Sequence, residues 1–393
     1  MGPRHLAAVL TAMLSLGLVT TACSSTSSST TSTPLAPATS SAKPAAETAT
    51  SFLGQLHSGS KIASTVPAKG DVNPYGLAVV PATAGRLTAG NILVSNFNDK
   101  ANVQGTGTTI VQVSPAGQTS LFADVAKLPA GMACPGGVGL TTALGILPGG
   151  WVVVGSLPTT KSGALPGLDP AGCLIVLNDQ GAAVETITNK NIVGPWDLAV
   201  TSTATSAQVF VSNALGGNTS TSNGTPVTGN CTVVRLDFAL KNLSAAAPPA
   251  LTGTTVVGSG YPWRANKAAL VLAPTGLALG HNGTLYVADT QTNTISAIPQ
   301  ATTRTTAQAA TAGLLSAGGA LDAPLGMTLA PNGDLIVVNG NNGNAVEVTP
   351  AGRQLTTKTL VKNGAGDLFG IVTTPDGILA VNDGTNALEL FRG

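Results

Sequence analysis

Asp197 is a residue whose type and position could do chemistry. It follows Pro195-Trp196, where five related segments carry Gly after Tyr75, Val138, Thr275, Leu325 and Phe369. A carboxylate there can ligate a metal or act as a general base; it can equally be satisfied by backbone amides. A second set recurs downstream: Asn96, Ser156, Asn213, Asp289, Asn339 and Asn382. Such a ring could hydrogen-bond a ligand or hold a hard cation through oxygen, though Asx side chains also cap turns. A divalent metal, if bound, is expected on Asp197, Asn213 and Asp289. No other cofactor is expected. Tyr75, Trp196 and Phe369 stand just before the Gly or Asp, in a chain only 3% aromatic. They either plug an axis or floor a ligand site. Trp263, Arg264 and Lys267 add an aromatic and two cations nearby in sequence.

Other catalytic sets are poor. After an N-terminal segment, the histidines are His57, in the lead-in to the repeats, and His281, expected in a hairpin turn on the face opposite the candidate site. There is no G-x-S-x-G, Walker, HExxH or CxxC pattern. Charged residues make up 9% of the chain and the net charge is +1. Without a basic patch, nucleic acid is not an expected partner. Cys134, Cys173 and Cys231 allow one disulfide and one leftover thiol. The expected pair is Cys134–Cys173, which belong to one repeat unit and would pin the loop 157–172.

These residues must be held by a repeat. A unit of Pro-x-Gly, an apolar run, a turn, an apolar run ending in Asn or Asp, a turn and a third run occurs six times. It is clearest over Pro274–Ile298 and Pro324–Val348. Other copies start near Pro74, Gly137, Pro195 and Phe369. Asn282-Gly283, Asn332-Gly333 and Asp376-Gly377 between apolar runs signal hairpins, read as turns with both central residues at positive φ. The fold class expected is all-β: a six-bladed β-propeller of four-stranded antiparallel blades. The last unit lacks its outer strand, and residues near 61–67 are expected to supply it and close the ring. Closure removes two open sheet edges. Phe52, Leu53 and Leu56 are expected to pack on the domain. The loops of 97–107, 157–172 and 214–230, with the segment 260–273, are long on one face, where binding is expected.

At these motifs the chain resembles the NHL-repeat class of six-bladed propellers, most strongly in the last three units. Related propellers include streptogramin lyases and the gluconolactonase–regucalcin group. The lyases use a catalytic His on the axis face, and no His matches that place here. The lactonase resemblance implies an axial metal. Near the start, Leu6–Val19 is apolar but too short to span a bilayer. It is followed by Thr20-Thr21-Ala22-Cys23, which resembles the bacterial lipoprotein processing site and implies lipidation at Cys23. Residues 24–51, nearly all Ser, Thr, Ala and Pro, read as a disordered tether reaching roughly 25–30 Å. The expected organisation is a signal peptide over 1–22, the tether over 23–51 and the propeller over 52–393. The expected function is a membrane-anchored or secreted extracytoplasmic binding module. It would act as a monomer on an envelope protein, a polymer or a small ligand. The alternative is a metal-dependent lactonase-type hydrolase.

Overall fold

The computed structural model describes residues 50–165, 171–216, 226–240, 247–266 and 269–393. They fall within one compact unit, Ala49–Gly393. The signal segment with Cys23, the tether up to residue 49, residues 217–225 of the expected loop 214–230, and Lys267 lie outside the described residues.

The chain opens with one helical turn, α1 (Phe52–Gln55), and β1 (Ser60–Ser64). Blade one is β2 (Val72–Val79), β3 (Ile92–Asn98), β4 (Thr109–Val113) and β5 (Thr119–Asp124). Blade two is β6 (Leu140–Leu147), β7 (Trp151–Ser156), β8 (Cys173–Leu177) and β9 (Ala183–Ile187). Blade three is β10 (Pro195–Ser202), β11 (Ser206–Asn213), β12 (Val227–Ala239) and β13 (Ala250–Asn266), joined by β14 (Leu270–Leu272). Blade four is β15 (Pro274–Leu279), β16 (Leu285–Asp289), β17 (Thr294–Ile298) and, after β18 (Gln308–Ala309), β19 (Leu314–Ala317). Blade five is β20 (Pro324–Leu329), β21 (Leu335–Asn339), β22 (Asn344–Val348) and β23 (Gln354–Thr359). Blade six is β24 (Leu368–Thr374), β25 (Gly377–Asn382) and β26 (Ala387–Phe391), with β1 outermost.

The fold is therefore an all-β, six-bladed propeller. The first strand of each blade packs on those of its neighbours, from blade one around to blade six and back. β1 pairs antiparallel with β26, so the N-terminal strand closes the ring as expected. Leu53 and Leu56 are buried. Glu347 of β22 clasps the turn before them, accepting from Ser51 Oγ and from the amides of Phe52 and Leu53.

The middle strands β3, β7, β16, β21 and β25 are buried along their whole length. This explains why they read as unbroken apolar runs rather than alternating ones. Every inner strand breaks register near its start, as at Pro74/Leu77, Leu140/Leu144 and Pro195/Asp197. At that bulge the repeat Gly lets neighbouring blades touch. A Cβ on Gly276 would meet the carbonyl of Leu325, one on Gly326 that of Phe369, and one on Gly370 that of Tyr75.

Three local readings differ from expectation. The Asn-Gly hairpins have positive φ only at Gly, 77° at Gly283 and 83° at Gly333. Asn282 instead accepts the amide of Thr284, and Gly283 N–H bonds Gly280 O, giving a turn followed by a glycine bulge. Blade two is offset: Leu140 pairs with Ser156 as Pro74 pairs with Asn96. Its mouth residue is therefore Thr141, not Val138, and Thr142 stands at the Gly position, donating to Trp196 O. Asp197 is thus one of two departures from Gly. Finally, much of 226–266 is strand. β12 and β13 run beyond the ring, and 260–273 is the end of β13 and its hairpin with β14.

Candidate functional site

The mouth residues Tyr75, Trp196, Leu325 and Phe369 meet at the axis. Tyr75 stacks on Phe369 with centroids 3.9 Å apart and on Phe97 at 4.3 Å, and Trp196 meets Tyr75 edge-on at 5.7 Å. The aromatics plug the channel. Above the plug, on the face of the long loops, lies a funnel of about 560 Å³, and the same rings form its floor. Below it lies an axial cavity of about 350 Å³ that shares no lining residue with the funnel. The funnel volume falls within the range usual for small-molecule sites.

The funnel wall is rich in amides: Asn73, Asn98, Asn102, Gln291, Asn293 and Asn341 all line it. Some of these are already spent. Asn98 donates to Asn102 Oδ1 and accepts Gly105 N, and Asn293 accepts Ala323 N. Others are unspent. Asn73 is 5% exposed, yet its Oδ1 has no hydrogen-bond partner. Its backbone sits at φ 59°, which Asn tolerates better than most residues. The buried Oε1 of Gln291 and Nε of Arg264 are also unpartnered. Buried polar groups normally find partners, so three bare atoms around one cavity are unusual.

Two charges face this space, Arg264 from blade three and Asp383 from blade six, on opposite sides of the ring. Asp383 is pushed up to about 6, by burial first and by the nearby Asp367 second. Burial raises the Tyr75 hydroxyl well above the usual phenol range, and the charge of Asp383 adds to this.

Of the residues expected at a site, Tyr75, Trp196 and Phe369 line the funnel, whereas Asn96, Asp197, Asn213, Trp263, Asp289, Asn339 and Asn382 do not. The Asn and Asp side chains that end the second strands turn back into the blade. Asn96 Nδ2 donates to Thr65 O; Asn213 accepts the amides of Val193 and Gly194 and donates to Asn191 O. Asp289 accepts Gln291 N and Thr292 N, Asn339 bridges Asp322 N and Ala320 O, and Asn382 binds Glu389 and Thr385 N. Asn96, Asn213 and Asn339 tie their strands to the loop before the blade, and Asp289 and Asn382 cap the turn that follows. Trp263 is fully buried in the core, its indole N–H without a partner.

Asp197 lines the lower cavity, beyond the plug. Its carboxyl accepts the amides of Leu198 and, in the next blade, Leu277, both at 2.9 Å. Desolvation raises it to about 7 against those two bonds. Asp197, Asn213 and Asp289 therefore share no cavity, and each is engaged by backbone. The trio does not fit a common metal ion. Among the described residues no cluster of three His, Cys, Asp or Glu could hold one either.

Four of the funnel groups missed in the sequence follow a rule. They lie one or two residues past the recurring Asn or Asp: Asn98 after Asn96, Gln291 after Asp289, Asn341 after Asn339, and Asp383 after Asn382. The strand end points into the turn, and the next residues are the first free to face the axis. The loop 157–165 lines no part of the funnel. Its Thr159, Thr160 and Lys161 line a separate open pocket with Met132 and Cys134. The disulfide Cys134–Cys173 is present, with Cα atoms 5.3 Å apart, and Cys231 is a buried free thiol. His57 and His281 are both exposed, and neither lines the funnel.

No protein-family model matches the chain, and no curated protein matches it. Solved structures do resemble it in fold. A gluconolactonase from Xanthomonas campestris is 12% identical with a TM-score of 0.48, over 87% of this chain and 91% of that one. A PQQ-bound aldose sugar dehydrogenase from Streptomyces coelicolor is 14% identical with a TM-score of 0.48, over 85% and 97%. A catalytically inactive virginiamycin B lyase from Staphylococcus aureus with quinupristin is 14% identical with a TM-score of 0.45, over 83% of each. The likeness is one of fold, and at this distance it carries no argument about activity.

Proposed function

We propose that this chain is a binding module whose funnel, on the long-loop face, takes a small polar ligand or a short segment of a larger one. The observation that carries the reading is the set of unpartnered buried atoms, Asn73 Oδ1, Gln291 Oε1 and Arg264 Nε, set over an aromatic floor. An unsatisfied buried polar atom costs about 1–3 kcal/mol, and a ligand that supplies its partner recovers that cost. Flat rings beneath them offer a surface for an apolar side chain or ring.

We further infer that the module is exported and lipid-anchored through Cys23, with residues 24–51 as the spacer, and that it works as a monomer of the NHL-like kind. The processing motif supports the export and the anchor, and the six recurring units support the NHL-like reading. Cys23→Ser is expected to release the protein from the membrane fraction, and intact mass would show loss of the acyl adduct. The metal-dependent hydrolase reading is not favoured, because its three ligand candidates are spread over different parts of the blades.

Binding is tested with a thermal-shift panel of short peptides, disaccharides and nucleosides, each hit then titrated by tryptophan fluorescence. Trp151 and Trp263 are buried away from the funnel, so a funnel ligand should perturb emission from Trp196. That change should vanish in Trp196→Phe. A panel with no hit, or hits whose signal survives that substitution, would count against the reading.

A further inference from the structure

We propose that the funnel is built for a zwitterionic ligand, a short peptide or amino-acid derivative with both ends free, its carboxylate on Arg264 and its ammonium between Asp383 and Asn73. This rests on the reading of the funnel as a ligand site and names what that site takes.

The argument is one of unneutralised charge. Arg264 and Asp383 line the same cavity from blades three and six. Neither forms a salt bridge among the described residues, where the pairs are Lys69–Asp124 and Arg235–Asp237. Arg264 Nε is buried and bare. Asp367 stands near Asp383 and its charge repels that of Asp383; Asp383 and the Asn73 side chain both stand by the Tyr75 hydroxyl, and the buried Asn73 Oδ1 is an acceptor without a donor. One side of the funnel therefore offers acceptors and negative charge, and the other offers a cation. A neutral ligand would cover both charges and neutralise neither, which is costly in a desolvated site. A ligand of one sign would leave the opposite pole bare. A molecule carrying an ammonium at one end and a carboxylate at the other satisfies both poles. The guanidinium suits a carboxylate through paired N–H donors. The rings of Tyr75, Trp196 and Phe369 lie beneath, where an apolar side chain between the two ends would rest.

The test is isothermal titration of the full-length chain with Ala-Leu-Ala in four forms: free, N-acetylated, C-amidated and doubly capped. Cellobiose serves as a neutral comparison. The free peptide is expected to bind at least tenfold tighter than either singly capped form. Arg264→Met should erase the preference for a free carboxylate and leave that for a free amine; Asp383→Asn should do the reverse. Both residues are half-buried at the rim, so melting temperature serves as the folding control. Equal binding of all four forms, or binding of none, overturns the proposal. If cellobiose alone binds and Ala365→Trp at the rim blocks it, the funnel stands as a ligand site and only the zwitterion falls. If no probe binds, both readings fall.

Discussion

The rings of Tyr75 and Phe369 stack at 3.9 Å with 22° between their planes, although one enters from the first blade and the other from the last. The contact joins the first and last blades at the axis, while β1 completes the outer edge of the last blade and leads on into the first. Coupling between the two residues is the first expectation. A double-mutant cycle with Tyr75→Leu and Phe369→Leu should give an interaction energy of about 0.5–1.5 kcal/mol by urea denaturation. Additive effects would mean the rings merely touch.

Closure itself makes a sharper prediction. Removing residues 52–68 deletes α1 and β1, leaving an open edge on β26. The shortened protein should lose its single cooperative transition and aggregate. An unchanged calorimetric melt would show that the ring does not depend on its N-terminal strand.

The clasp at Glu347 can be weakened without deletion. Burial pushes its carboxyl up, but hydrogen bonds from Ser51, Asn332, Leu53 and Phe52 outweigh that and hold it below the usual carboxylate range. Glu347→Gln turns an N–H₂ toward one of those donors, costing about 1–3 kcal/mol. Proteolysis within residues 50–58 should accelerate while the blades stay protected. Equal cleavage rates would contradict this.

Asp197 sets a pH dependence. Its folded-state value of about 7 lies above the ordinary carboxyl, so the folded protein holds an extra proton between the two. That contribution is fully present below about pH 4 and is lost as pH rises through about 7. Melting temperature should fall from pH 5 to pH 8. Asp197→Asn should remove about 1–2 kcal/mol of that slope, allowing for water access to the cavity. Asp289 and Asp383, both raised to about 6, keep a smaller slope at the acid end. Parallel pH profiles for the two proteins would refute the assignment.

The disulfide closes a loop with a sequence separation of 39. Replacing Cys134 and Cys173 together with Ser should cost up to about 4 kcal/mol on chain-entropy grounds. Comparing the denaturation midpoint with that of the parent protein, both without reductant, measures it. A midpoint within error of the parent would show that the bridge adds no stability.

How far the sequence leads depends on which physical rule governs each residue. Period and turn chemistry revealed the blades and the closing strand, because Pro-x-Gly and Asn-Gly are demanded locally by the backbone. Blade two misled because Gly137-Val138-Gly139 imitates the repeat three residues early, whereas the paired register sets Thr141 at the axis. Blade three misled because Gly260 and Pro262 made 260–273 read as a long loop, although β13 runs on to Asn266 and β14 follows. The polar ring was visible as a pattern, but its side chains serve the turns, as Asn213 shows by holding Val193 and Gly194. Asn73 and Arg264 carry no motif, and they face Asp383, the residue after Asn382, only through the closing of the ring.

The central claim is that the long-loop funnel is the binding site, and occluding it is the most direct test. Ala365 sits exposed at the rim and touches neither the aromatic floor nor the core. Binding of the thermal-shift hits should be measured by isothermal titration against the parent protein and against Ala365→Trp. The account predicts at least a tenfold loss of affinity in the variant at unchanged melting temperature. Undiminished binding to a folded Ala365→Trp would contradict it and place the ligand elsewhere on the propeller.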